Sequence, residues 1–258
     1  MNTRESLNPQ SDLKTDATHS VLESVISGLI EPRQDAPESY KPTLISNRPG
    51  DLTMHDEISD ALTNSDSFDI SVAFVSPDAI LSLFEDFRSH HANAPEQVSR
   101  LITSTKNHFN DPRAFWELLH LQRTAGVNVR VWAGSDSSVS VAQGQPFHPK
   151  GYVFSRRMRN GTPYYDLFVG SSNLTGAALN TQREWNLKVS SLANGELVAQ
   201  VRDEIDSQIA DSKPLTEEWI KQYEEDFKKY APARKQILQS IAKQAIEPNR
   251  MQREALAN

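Results

Sequence analysis

From Phe68 to Phe74 the chain alternates: Phe68, Ile70, Val72 and Phe74 are apolar, and Asp69 and Ser71 stand among the residues between them. That period of two predicts a strand. Ser76-Pro77 then supplies an N-cap and a proline at the first helical position, and Ile80, Leu83, Phe84 and Phe87 follow at helical spacing. The pattern repeats. VSRLITS reads as a strand, Asp111-Pro112 opens a helix carrying Phe115, Leu118 and Leu119, and VNVRVWA alternates through Val127, Val129 and Val131. Strands separated by helices of this length predict βαβ units and an α/β fold whose sheet is covered on both faces.

The flanks follow the same logic. Residues 1–17 are polar and without period, which predicts a loose N-terminus. HSVLESVISGLI predicts a short amphipathic helix ended by Glu31-Pro32, followed by a connector to Ser46 and a helix around Met54 to Thr63. Farther on, residues 134–146, rich in Ser, Gly and Gln, predict a loop. GYVFS and YYDLFV are apolar runs separated by RRMRNGTP, and Asn160-Gly161 is the favoured signal for a two-residue hairpin turn. In EWNLKV the alternation predicts Trp185, Leu187 and Val189 on a packed face, with Glu184, Asn186 and Lys188 on the other. Beyond Gly195 the chain is helical and acidic, one helix beginning at PLTEEW and Pro232 interrupting before another. The expected organisation is therefore a main domain over residues 18–195, a helical acidic extension over 196–245 and a distinct tail over 246–258.

Composition narrows the setting. A length of 258 residues holds one large α/β core or two modest domains. With no cysteine there is neither a disulfide framework nor a thiolate metal site, and with no basic-then-apolar leader or membrane-length apolar run the expected location is the cytoplasm. The net charge of −7 is unlike a protein coated in nucleic acid, but the charge is segregated. From Phe147 to Ser190 six basic residues (Lys150, Arg156, Arg157, Arg159, Arg183, Lys188) face two acids (Asp166, Glu184). This locally positive region makes Arg156, Arg157, Arg159 and Lys188 candidates for contact with nucleic acid.

The same region concentrates reactive side chains. His148 and Lys150 lie two apart on a strand and so share a face; GSSN at 170–173 follows the next strand, and Glu184 precedes the one after. Two strands and a glycine-led turn bring His, Lys, Ser, Asn and Glu to one edge of a sheet. That set suits attack on a phosphodiester. A neutral imidazole is a competent nucleophile toward phosphorus, Lys and Asn donate to the non-bridging oxygens, and a carboxylate such as Glu184 can hold the imidazole in the attacking tautomer. No cofactor is called for, and no cluster of carboxylates or histidines near these residues suggests a metal.

HPK at 148–150 and GSSN at 170–173 resemble the HxK and GSxN signature of the phospholipase D superfamily, and Glu184, eleven residues past Asn173, sits where that family often has an acidic partner for histidine. The likeness covers roughly residues 50–195. It implies a mixed sheet flanked by helices on both faces, with a helical C-terminal extension, and a catalytic set of His148, Lys150, Ser171, Asn173 and Glu184. FHPKGYVF, VGSSNLTGAAL and EWN look most like the nuclease modules found in restriction enzymes and in front of superfamily 2 helicases. The fuller family motif has Asp five residues after the Lys, where this chain has Ser155.

The family's reaction uses two such histidines, and none of His19, His55, His90, His91, His108 or His120 has Lys two residues later. A single copy resembles members that dimerise, which implies a homodimer sharing one active site. The tail IEPNRMQREAL resembles the entry segment of DEAD/DEAH-type helicases, so the expected partners are DNA, a second copy and a helicase domain C-terminal to this chain. The resulting expectation is a metal-independent DNA endonuclease acting through a covalent phosphohistidine in a helicase-linked restriction or defence system. The alternatives are a dormant DNA-binding or helicase-positioning module and, less favoured, a lipid phosphodiesterase or transferase.

Overall fold

The computed structural model describes residues 9–105, 108–132 and 146–243. The chain divides into two units, residues 1–217 and 218–258. The first contains an eight-stranded mixed sheet. Its strands are β1 (Thr43–Ile45), β2 (Ser67–Val72), β3 (Arg100–Thr103), β4 (Asn128–Trp132), β5 (Lys150–Arg157), β6 (Pro163–Gly170), β7 (Asn186–Leu192) and β8 (Ser212–Pro214), in the order β1-β7-β6-β5-β2-β3-β4-β8. β2, β3 and β4 run parallel; every other pairing is antiparallel.

The helices are α1 (Pro9–Leu29), α2 (Met54–Thr63), α3 (Pro77–Ser82), α4 (Phe84–Asn93), α5 (Pro112–Ala125), α6 (Gly176–Asn180) and α7 (Glu196–Ala210), with α8 (Glu217–Lys243) supplying, from Glu218 on, the described part of the second unit. Local chemistry fixes several starts. Thr53 and Asp56 form a capping box at α2. Asp111 accepts the Arg113 N–H ahead of Pro112 in α5, which ends at Gly126 in the left-handed region. In the second unit Trp219 stacks on Tyr223 with ring centroids 5.3 Å apart.

Strand alternation gives the sheet two different faces. On one, Phe68, Phe154 and Phe168 meet Phe87 of α4 in a run of aromatic contacts at 5.4 to 6.3 Å. On the other, Val153 and Leu167 pack with Val198 and Ile205 of α7. The predicted layers are therefore present, β2-α-β3-α-β4 forming the parallel part.

Several details differ from the sequence reading. Helix α1 begins at Pro9, within the stretch expected to be loose. The helix expected after Ser76 is two, divided at Leu83. β1 lies in the expected connector, β8 interrupts the helical extension, and α8 continues through Pro232. The hairpin loop is also longer than a two-residue turn: Met158 donates to Thr162 and Gly161 to Met158, with Gly161 at φ 83°. That is a three-residue loop in which glycine takes the left-handed position.

The largest reversal is in β7. Asn186 is buried and Lys188 half-buried, whereas Trp185 and Leu187 are exposed. A period of two establishes that a strand has two faces without saying which is inward. Here the even positions face α2, where Lys188 meets Glu57 at 3.0 Å. The expected loop at 134–146, but for Pro146, and the tail at 246–258 lie outside the described residues.

Candidate active site

At one end of the sheet β2 and β6 finish and β5 and β7 begin, and the five catalytic candidates all lie there. His148 and Lys150 enter β5. Lys150 Nζ stands 2.8 Å from His148 Nδ1 and 3.3 Å from Nε2, and it donates to the His148 carbonyl at 3.2 Å. The ammonium thus rests against the imidazole. The exposed ring is braced edge-on by Phe74 at 5.6 Å between centroids, and Phe74 in turn contacts Phe109 at 5.2 Å.

The GSSN turn leaves β6 and is tied to the chain entering β7. The Ser171 N–H donates to the Trp185 carbonyl at 3.0 Å, its hydroxyl donates to the Glu184 carboxylate, and that hydroxyl accepts the Trp185 N–H at 3.0 Å. Glycine is required at 170, since a Cβ there would collide with the Trp185 carbonyl and the Asn186 side chain. Ser172 points inward: its N–H donates to Asn186 Oδ1 at 3.1 Å, its Oγ accepts from Asn186 Nδ2 at 2.8 Å and donates to the Ala178 carbonyl at 3.2 Å.

Asn173 closes the arrangement. Its Oδ1 accepts the Phe74 N–H at 3.2 Å, so the residue whose ring braces His148 also orients Asn173 by its backbone. The next residue is held by Asn110, whose Oδ1 accepts the Val75 N–H at 2.9 Å. Beneath the site Tyr152 donates to the Ser172 carbonyl at 3.0 Å. Burial first, and the Glu184 charge second, raise the Tyr152 pKa well above the ordinary phenol value, which keeps it a neutral donor.

The sequence marked Phe74 only as a strand position and gave no site role to Phe74, Asn110 or Tyr152. Tyr152 continues the His148, Lys150 face of β5, and that spacing is a signal that could have found it. Phe74 and Asn110 act through contacts between separate segments, for which the sequence carries no local mark.

The proposed nucleic-acid contacts fall elsewhere. Arg156, Arg157 and Arg159 are at the far end of β5 from Lys150, a separation of roughly 20 Å at strand rise. Arg156 pairs with buried Asp166 at 2.9 Å and with Asp60 at 3.3 Å, beside the Tyr164 ring. Arg157 pairs with Asp66 at 2.8 Å, Lys188 pairs with Glu57, and Arg159 is exposed on the hairpin loop. Arg156 and Lys188 thus make ion pairs within the fold. Exposed Arg183 lies one residue before Glu184, nearer the site in sequence than the hairpin cluster. Among the described residues no three His, Asp or Glu side chains group as metal ligands, and no helix is long and apolar enough to cross a membrane.

An imidazole, an ammonium and a carboxamide at one sheet edge, with a serine-held carboxylate, form a constellation suited to displacement at phosphorus. The family described as "Cardiolipin synthase, PLD-like domain" matches residues 56–209. A search of curated proteins finds no match. Among solved structures the chain is similar to NucT from Helicobacter pylori (13% identity, TM-score 0.49, 68% of this chain and 99% of that one). It is similar also to the phospholipase D family member Nuc from Salmonella typhimurium (11%, 0.47, 67% and 98%). A third is polyphosphate kinase from Porphyromonas gingivalis (14%, 0.47, 75% and 30%).

Proposed function

Because the chain belongs to the cardiolipin synthase, PLD-like domain family, we propose that it is a phosphodiester hydrolase that cuts DNA without a metal ion, His148 being the nucleophile. The observation that carries this reading is the placement of Lys150 against His148 at the sheet end that also holds Ser171, Asn173 and Glu184. An imidazole nitrogen attacks phosphorus in line, forming an N–P bond as the P–O bond to the leaving alcohol breaks. A second histidine, His148 of another copy, gives that oxygen its proton. Water then attacks phosphorus, the N–P bond breaks, and the water proton passes to the same second histidine. Lys150 and the Asn173 amide neutralise the non-bridging oxygens, and the Ser171-held Glu184 carboxylate sets the imidazole tautomer.

The homodimer follows from chemistry that needs two histidines in a chain with one HxK. The substrate assignment rests on the resemblance of FHPKGYVF, VGSSNLTGAAL and EWN to nuclease modules, and the resemblance of the tail to a helicase entry segment is the support for a role in a helicase-linked restriction or defence system.

Ser155, where the family pattern has Asp, favours a second reading, a dormant DNA-binding module. Against it, the neighbourhood keeps a buried carboxylate: Asp166, the cross-strand partner of Phe154, binds Arg156 and the Ser190 hydroxyl. The deciding experiment incubates the chain in EDTA with supercoiled plasmid, a single-stranded oligonucleotide and phosphatidylglycerol vesicles. Cleavage of nucleic acid alone is expected. DNA binding without cleavage, in EDTA or in magnesium, selects the dormant module, and lipid turnover selects the lipid enzyme.

A further inference from the structure

The loop between β3 and α5 carries an exposed aromatic ring to the end of the sheet where His148 stands. β2 and β3 run side by side in parallel, and Val72 pairs with Lys150, so the chain leaving β2 and the chain leaving β3 both emerge where β5 begins. The first carries Phe74, the second His108 and Phe109. Among parallel strands this is the end at which ligands are bound. Phe109 is 49% exposed, and it stands two ring contacts from the imidazole, 5.2 Å to Phe74 and 5.6 Å from there to His148.

The loop holds that ring in a fixed place. Asn110 donates to the Ser104 carbonyl at 2.5 Å and to the Ala73 carbonyl at 3.3 Å, and it accepts the Val75 N–H at 2.9 Å, which ties the residue after Phe109 to both neighbours of Phe74. The residue before Phe109 is turned against its preference. His108 has φ 54°, and among the described residues the other non-glycine in the left-handed region is Asn47. Asn47 is kept there by its buried side chain, which bonds the Met54 N–H and the carbonyls of Ala178 and Gln182. At His108 the turn has the effect of presenting Phe109 at the surface, and strain of this kind gathers at ligand sites, where the surroundings over-determine it.

We propose that Phe109 is the platform on which an unpaired nucleobase stacks beside the scissile phosphate, so that the site takes single-stranded nucleic acid. This platform presupposes the nuclease reading of the site and adds its substrate class. With phosphorus at His148, a base one or two nucleotides along the strand lies over the Phe109 ring. A base offers its flat face to a side chain only when it is splayed out of a duplex, and stacking of this kind is tolerant of sequence because every base has such a face. A lipid chain is a poorer occupant. The ring stands in sequence among His108, Asn110 and Asp111, not within a broad apolar surface on which a chain would lie.

Anisotropy titration of the intact chain with a short labelled single strand, an abasic position being walked along it, tests this against Phe109→Ala and Phe109→Leu. Leucine keeps an apolar contact for Phe74 without a ring face, and both variants should melt near the wild type. Each should bind the strand about 10-fold or more weakly and bind a duplex of the same sequence as the wild type does. At one abasic position the wild type should lose the same factor and the variants nothing further. Cleavage of the strand should show the change in KM, with kcat little altered. Wild-type affinity in either variant overturns the proposal, as does a variant defect of equal size on intact and abasic strands at every position. So does a defect seen with phosphatidylglycerol vesicles and not with the strand. If the abasic coupling is found in a chain that cuts no phosphodiester, the platform stands and the nuclease reading falls; if the chain cuts DNA without that coupling, the platform falls and the nuclease reading stands.

Discussion

The Ser171 hydroxyl donates to the Glu184 carboxylate while accepting the Trp185 N–H at 3.0 Å, so one side chain fixes both the acid and the backbone beside it. Replacing Ser171 by Ala removes both bonds from an exposed site with little cost to the fold. The expected loss in kcat is about 10²-fold, as for removal of one well-placed polar group, with the melting temperature nearly unchanged. Ser171→Thr retains a hydroxyl and should recover most of the rate. Steady-state kinetics with thermal melts on both variants check this.

Asn173 separates positioning from phosphate contact. Its Oδ1 accepts the Phe74 N–H at 3.2 Å, and Nδ2 carries the donors. Asn173→Asp keeps the acceptor and replaces the donors by a negative charge. This variant should fold as the wild type yet lose roughly 10²- to 10³-fold in activity, with substrate affinity falling in an anisotropy titration. Equal affinity in the two proteins would remove Asn173 from the phosphate site.

Arg156 and Asp166 make a stability prediction instead of a binding one. Asp166 is buried and holds Arg156 at 2.9 Å. Asp166→Ala should destabilise the fold by about 1.5–3 kcal/mol in urea unfolding, since it removes the charged hydrogen bonds to Arg156 and Ser190 and leaves the guanidinium only the exposed Asp60. Asp166→Leu with Arg156→Met should recover much of that loss. Burial and then the Asp166 charge push the Tyr164 hydroxyl up to about 12. Removing the charge with Asp166→Asn should move the Tyr164 titration back toward the ordinary value, readable as phenolate absorbance.

His90 predicts a pH dependence. It is buried between the Leu62 carbonyl at 3.1 Å and the Ser99 hydroxyl at 2.9 Å, and burial lowers its pKa, the Leu62 bond acting the other way. The folded imidazole stays neutral while the unfolded one takes a proton near pH 6.5. Its contribution is therefore complete above about pH 6.5 and falls as pH drops toward the folded value. The urea midpoint should decrease from pH 7.5 to 5.5, and His90→Gln should flatten that slope. An unchanged slope would assign the dependence to other groups.

The sheet was legible because alternation acts over a few residues, as at Phe68 to Phe74, and Asn160-Gly161 marked the place of the hairpin though not the length of its loop. What escaped depends on distant partners. Arg156 reads as a surface cation until β6 places Asp166 beside it. Trp185 reads as core yet is exposed, because the period of a strand does not identify its covered side. β1 and β8, three residues each, are too short for a period to show.

Acid-free quenching of the chain during turnover of end-labelled DNA, followed by denaturing gel and peptide mapping, tests the covalent route most directly. Label bonded to His148, stable to alkali and released by acid as a phosphoramidate should be, is the expected result, absent in His148→Ala. DNA cleavage that continues in His148→Ala would contradict it.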